Sequence, residues 1–320
     1  MVRRIAAALF LLSAATAFAQ GGWPNKPVKL MVGASPGGGT DIIARMLGDK
    51  YQATWGQPFI VENRPGAGNT IASDVTAKSP PDGYTLLVGT NTAQAIAPHV
   101  MKLGFDPIKD LTPIALIVVV PNVVLASPSV KANTIAELIA ESKATPNGFS
   151  CGSSGIGSTQ HLACEAFALA TGARITHVPY KGSSQALADL VGGQIQLSFD
   201  TTSSGMSFIR SNKVKALAVM TPKRSSELPE IPTLAEVGVP NVEMSTWYGL
   251  FGPANMPRDI VAKLHAETMR VIAMPDVKKR LEALAGEPGT LTTAEFAAKA
   301  RADYESAGKL VRDAKIKVEN

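Results

Sequence analysis

From Val28 onward, short apolar runs alternate with segments of helical period, and this alternation limits the possible folds more than any other feature. "VKLMVGA" reads as a strand. "TDIIARMLGDKYQATWG" puts Ile42, Ile43, Met46 and Leu47 on one helix face and stops at Gly56. "PFIVENRP" is a second strand, "NTIASDVTAKS" a helix ending before Pro80 and Pro81, and "YTLLVGT" a third strand. A βαβαβ series implies a parallel sheet with helices on both faces. After the long apolar strand "PIALIVVVPNVVLAS", Pro113 to Ser127, the pattern repeats. The helices there are "TIAELIAESKA", "STQHLACEAFALATG", "SSQALADLVGG" and "SSGMSFIRSN". They alternate with the strands "FSCGSS", "RITHVPY", "QIQLSFDT" and "KALAVMT".

The segment after "WYGLFGP" has only helical periods and no strands, so it cannot form a domain alone. The economical reading returns it to cover the first unit. The chain then crosses between lobes twice, near Pro121–Ser127 and near Ser245–Phe251. This gives one lobe from residues 20–124 plus 246–320 and a second from 125–245. Two crossings make a hinge, and the cleft beside a hinge is a common ligand site.

The first residues, "MVRRIAAALFLLSAATAFAQ", read as a secretory signal peptide. Arg3 and Arg4 form its basic start, Ile5 to Leu12 its apolar core, and Ala17-Phe18-Ala19 its small-residue cleavage site. The expectation is cleavage after Ala19 and export, with a retained anchor as the alternative. The apolar run is shorter than the about 20 residues a membrane span needs. Roughly 300 residues remain, which suggests two domains. Losing Arg3 and Arg4 takes the formal charge from +5 to +3, a balance that does not indicate nucleic acid. In an oxidising compartment Cys151 and Cys164 could pair, and two buried thiols are the alternative.

"ASPGGGTDIIAR" is a glycine-rich turn between a strand and a helix. It is not a phosphate loop, because Gly39 stands where that motif requires Lys, and it lacks the dinucleotide spacing. Gly37, Gly38 and Gly39 let backbone N–H groups converge, Ser35 and Thr40 add hydroxyls, and Thr40 is placed to cap the helix. The helix start favours an anion. Asp41 would repel one, unless it pairs with Arg45 or accepts from a ligand N–H or water. A tight turn with no ligand is the plainer alternative.

"CGSSGIGSTQHLAC" repeats the arrangement with Ser153, Ser154, Ser158 and Thr159. It breaks the G-x-S-x-G elbow, and Cys151, His161 and Cys164 lack a fourth metal ligand. Two such helix starts facing across a cleft suit a dicarboxylate, or a monocarboxylate with a second polar end. Neutral donors hold it without a buried counter-charge, whose desolvation is costly. Tyr180-Lys181-Gly182 is a third strand-to-helix turn, and Asp200-Thr201 ends a strand, where doubly wound sheets carry ligands.

"PGGGTDIIAR", "GQPFIVENRPGAGNTIASDVTAKSPPDGYTLLVGTN", "STQHLACEAF" and "HVPYKGSSQALADLVGGQIQLSFD", in this order, resemble the Bug-type solute receptors of tripartite tricarboxylate transporters. The resemblance covers essentially the whole mature chain. It implies an α/β, two-lobed periplasmic binding protein fold, type II-like, with two crossover strands at a hinge. It implies no catalysis, no cofactor and no metal. The implied partners are a small carboxylate (a di- or tricarboxylate, acidic amino acid or aromatic acid) and the large and small membrane subunits of the transporter. By motif position the ligand loops fall on Pro36 to Asp41 and Ser153 to Thr159. The candidate ligand set is therefore Ser35, Gly37, Gly38, Thr40, Asp41, Asn91, Ser153, Ser154, Gly155, Ser158, Thr159, Tyr180, Asp200 and Thr201. The family often has Pro-Phe-x before the Pro-Gly-Gly, where this chain has Gly33-Ala34-Ser35. Ala34 is thus the expected specificity position, making room for a ligand bulkier than succinate or malate. The reading is of a periplasmic monomer. Its alternatives are a receptor that signals to a membrane sensor and a secreted α/β hydrolase using a serine of 153–158.

Overall fold

The structure, a computed structural model, describes residues 22–313. The expected signal peptide and its cleavage site lie outside the described residues. In the first part of the chain, β1 (Val28–Val32), β2 (Phe59–Asn63) and β3 (Thr85–Thr90) pair in parallel, joined by α1 (Gly39–Trp55) and α2 (Thr70–Ala77). Gly56 ends α1 in the left-handed conformation, where a residue without Cβ carries no penalty.

The long strand β4 (Leu111–Ala126) belongs to both halves. Along Leu111–Pro121 it pairs antiparallel with β9 (Ser245–Pro253), which also pairs with β3. Along Asn122–Ala126 it pairs with β7 (Leu197–Thr201), and along Val123–Ala126 with β8 (Lys215–Val219). Beyond β7 lie β5 (Phe149–Ser153) and β6 (Ile175–Pro179), parallel to each other. The helices of this half are α3 (Ile135–Ala144), α4 (Thr159–Thr171), α5 (Ser183–Val191) and α6 (Thr202–Arg210). The molecule is a two-lobed α/β protein whose sheets meet along β4.

Side chains that alternate along β4 explain why both faces of each sheet must be covered. Val124 and Ala126 enter a core with Ile135, Leu138, Phe167 and Phe199; Val123 and Leu125 enter another with Leu187, Leu190 and Met206. The first sheet is likewise covered twice. Leu30 and Val32 pack with Ile43, Leu47 and Leu264, the last from α7 (Arg258–Ile272). Met31 and Leu87 pack with Trp247, Phe251 and Phe296, the last from α9 (Thr293–Asp313). The shorter α8 (Pro275–Glu282) adds Val277 and Leu281 to the former core. Each such side chain contributes roughly 1.5–3 kcal/mol by leaving water. Trp247 also donates its indole N–H to Asp303 at 2.7 Å, tying α9 to β9.

One element has no counterpart in the apolar pattern. After β3 the chain makes a π turn over Thr92–Ile96 and a 3-10 turn over Ala97–His99. π turns collect at functional sites, and Thr92 here reaches the second lobe.

Candidate functional site

Helix starts from both lobes meet at one small cavity. Its wall includes Gly39 and Thr40 at the start of α1, Thr159 and Gln160 at the start of α4, Ser183 at the start of α5, and Thr201 and Ser204 around the start of α6. Ala34, Asn69, Thr90, Thr92, Ser154, Thr246 and Tyr248 complete it. None of these side chains carries a charge. Each helix start carries the positive end of a dipole worth about half an elementary charge. Thr90 Oγ1 and Asn69 Oδ1 are buried without a partner. Buried unsatisfied groups of this kind cost about 1–3 kcal/mol each. The wall is neutral and rich in hydroxyl and amide groups that can hydrogen-bond a polar ligand.

The three glycines have separate roles. Gly37 has φ +79°, which forms the turn; Gly38 precedes the helix in an extended conformation. At Gly39 a Cβ would overlap Ser203 Oγ and Tyr248 Oη, so this glycine lets α1 approach Ser203 of the other lobe and Tyr248 of its own. Thr40, expected as the cap, does not cap: the helix begins after Gly38 with no side-chain cap bond. Asp41 holds the loop instead. It accepts from Gly37 N–H at 2.9 Å, from Arg45 Nε at 2.9 Å and from Asn63 Nδ2 at 2.9 Å. Burial opposes the charge of Asp41, but the bonds from Arg45, Gly37 and Asn63 prevail and hold its carboxyl below the ordinary range. Its repulsion of an anion is thereby neutralised within its own lobe.

The second loop is built similarly. Ser158 caps α4 by accepting from His161 N–H at 3.1 Å. Thr159 N–H donates to Thr92 Oγ1 at 3.2 Å, and Thr159 Oγ1 lies 2.9 Å from Thr246 Oγ1. Across the cleft, Ser35 Oγ donates to the Lys181 carbonyl at 2.9 Å. Ser203 Oγ and Tyr248 Oη are 2.6 Å apart. These bonds join the lobes around the cavity. Its volume of about 20 Å³ is room for one water, so a larger ligand enters only when the lobes part.

Of the expected residues, the structure brings Ala34, Thr40, Ser154, Thr159 and Thr201 to the cavity wall. Gly37, Gly38, Gly155 and Ser158 shape the loops behind it. Asp41 is consumed by Arg45 and Asn63. Tyr180 is turned away: its hydroxyl donates to Asp189 at 2.7 Å, and burial and that carboxylate push it up to about 12. Asn91 donates to the Ser245 carbonyl and lines a different cleft of about 460 Å³, with Trp247, Lys299 and Asp303. That cleft is larger, but it lacks the convergent helix starts and carries an ion pair between Lys299 and Asp303 at 3.0 Å.

Asn69, Thr90, Thr92, Gln160, Ser183, Ser204, Thr246 and Tyr248 were not expected. Ser183 is the first residue of its helix after the Tyr180-Lys181-Gly182 turn, the signal that pointed to Thr159. Thr246 and Tyr248 sit on a crossover strand, where an apolar pattern hides them.

Ser153 lies 2.6 Å from His177 Nε2, the contact a hydrolase would need. The hydroxyl, however, is buried and also bonded to Gly155. His177 stacks on His161 at 4.0 Å, and burial followed by that neighbour pushes it down to about 3. So weak a base does not activate a serine at neutral pH. Cys151 and Cys164 are free buried thiols, and the pairing the sequence allowed is not formed. They act as small apolar groups in the core with Phe149, Ala163 and Phe167.

Residues 43–315 match the family model described as the tripartite tricarboxylate transporter family receptor. The protein BugT of Bordetella pertussis is 37% identical over 76% of this chain and 75% of its own length. Two R. palustris structures are also similar. One, with adipate, has a TM-score of 0.90 and 33% identity, covering 93% of this chain and all of its own. MatC, with bound malate, has a TM-score of 0.86 and 30% identity, covering 90% of this chain and all of its own.

Proposed function

The chain belongs to the tripartite tricarboxylate transporter receptor family, and from that premise we propose that it captures a small dicarboxylate between its lobes and delivers it to a membrane complex of one large and one small subunit. The observation that carries this reading is the meeting of four helix starts at a cavity whose lining has no charged side chain. Carboxylates in the two R. palustris structures support it. Residues 20–124 with 246–320 act as one lobe and 125–245 as the other, which the change of partners along β4 at Pro121 and Asn122 supports. Export through residues 1–19 and work as a periplasmic monomer complete the reading.

Within the cleft, one carboxylate docks at the start of α1, against Thr40, and the other at the starts of α4, α5 and α6. Ala34 sets the room between them, favouring a chain longer than that of succinate or malate. The test is a thermal-shift screen against linear dicarboxylates of four to eight carbons, malate, acidic amino acids and aromatic acids. A ligand at a hundred times its Kd stabilises the protein by about 2.7 kcal/mol. The expected result is a clear rise in Tm with adipate or a neighbouring chain length. Silence across all carboxylates would refute the reading.

A further inference from the structure

Asp200, one residue before the end of β7, lies directly behind the cavity wall, and all its hydrogen bonds fall on one oxygen. Oδ1 accepts from Thr201 N–H at 2.7 Å, Ser183 Oγ at 3.0 Å, Gln160 Nε2 at 3.2 Å and Ser204 Oγ at 3.3 Å. Oδ2 is buried with no partner, and the residue is 0% exposed. Ser183, Gln160 and Ser204 all line the cavity.

A hydroxyl has one proton to give. While Ser183 and Ser204 donate to Asp200, they offer an incoming ligand only lone pairs. A ligand carboxylate needs those protons, so the hydroxyls must turn away from Asp200. An ionised Asp200 would then lose its two serine donors, keeping those of Thr201 and Gln160 on Oδ1 and none on Oδ2, in a fully buried position that faces a second carboxylate through one layer of side chains. Buried unpaired charge and like-charge proximity both favour the protonated acid. Resting on the carboxylate-receptor reading, we propose that Asp200 takes up one proton from solvent as a ligand carboxylate docks against Ser183 and Ser204. The neutral acid then has an O–H to give, and the site gains a donor as the ligand arrives.

The surroundings leave Asp200 as the group that responds. Burial pushes its carboxyl above the ordinary range, and the bonds to Thr201, Gln160, Ser183 and Ser204 offset this only in part. Among the described residues no salt bridge reaches it. On β4, Val123 lies alongside. From β9 it meets the field of Tyr248, whose phenol burial pushes up to about 12. On α4, His161 follows Gln160, but it accepts from Gly157 N–H, and burial holds it down at about 4. His177, on β6, is lower still. Lys181, before α5, is exposed. None of these groups hydrogen-bonds to Asp200.

The experiment is titration calorimetry with adipate and with malate, at one pH, in buffers of differing ionisation enthalpy. The proposal expects the observed enthalpy to change in proportion to the buffer's, with a slope of about one proton taken up per ligand. Affinity should weaken with rising pH by up to about tenfold per unit. D200N places an amide where the neutral acid would stand, and should bind with no uptake and a flat pH profile. H177Q should keep the uptake. Binding without buffer dependence in the natural chain overturns the proposal and leaves the receptor reading standing. Uptake that persists in D200N also overturns it. If D200N does not fold, the slope in the natural chain and in H177Q decides the matter. If no carboxylate gives heat or a thermal shift, the receptor reading falls, and this proposal with it.

Discussion

Ala34 is the position on which the proposed chain-length preference rests. It is buried on the cavity wall, and its carbonyl accepts from Asn63 Nδ2 at 2.9 Å, so its backbone is fixed by the network that holds Asp41. A larger side chain here cannot escape by moving the loop. A34F should therefore fill space the ligand uses, weakening adipate by at least about tenfold (roughly 1.4 kcal/mol) and favouring shorter acids relative to it. Calorimetry across the chain-length series checks this; unchanged preference would remove Ala34 as a specificity residue. Such single-residue roles were unevenly legible. The triple glycine announced a close backbone approach, but whether the approach was to a ligand or to other side chains depended on Ser203 and Tyr248. Those two lie far along the chain, and nothing in the spacing links them to Gly39.

At the scale of elements, the period of apolar residues identified nearly every strand and helix, because each element buries a regular stripe or face. What the period does not encode is how a helix start is satisfied. Thr40 fitted the capping preference, yet Asp41 supplies the bond, reaching back to Gly37 while Arg45 pairs with its charge and Asn63 donates to it. The π turn at Thr92–Ile96 was likewise invisible, since it buries its residues without a helical or alternating stripe. The start of α1 should accordingly depend on the carboxylate. D41N keeps the shape but loses charge-assisted bonds to Gly37 N–H and Arg45. It should cost about 1–3 kcal/mol in urea unfolding at pH 7. Because the folded Asp41 sits below its ordinary value of 3.8, its contribution is present above that value and is lost as pH falls through the folded one. The gap between variant and natural chain should then close in acid. A constant gap would mean that shape alone, not charge, secures the turn.

For the whole molecule, acid should act through the second lobe. His161 and His177 stack behind the Ser153–Thr159 loop, with folded values of about 4 and about 3 against an ordinary 6.5. A base held down in this way binds fewer protons folded than unfolded. Stability from the pair is thus complete above about pH 6.5 and declines as pH falls towards the folded values, each histidine contributing up to about 1.4 kcal/mol per pH unit. Asp200 and Glu165, both raised, pull the other way: they bind protons more readily when folded, and their share is lost as pH rises through the raised values. The two effects oppose each other in acid, so the observed slope is their difference. Replacing one imidazole separates them. H161F keeps an aromatic ring against His177 while removing one titrating group and the acceptor for Gly157 N–H. It should be less stable than the natural chain at pH 7, with a shallower loss of Tm between pH 6.5 and 4.5. Equal slopes would assign the acid sensitivity to the carboxylates. In that case lobe stability and ligand-linked protonation would share the same groups, and D200N would alter the acid slope of the ligand-free protein as well as its binding.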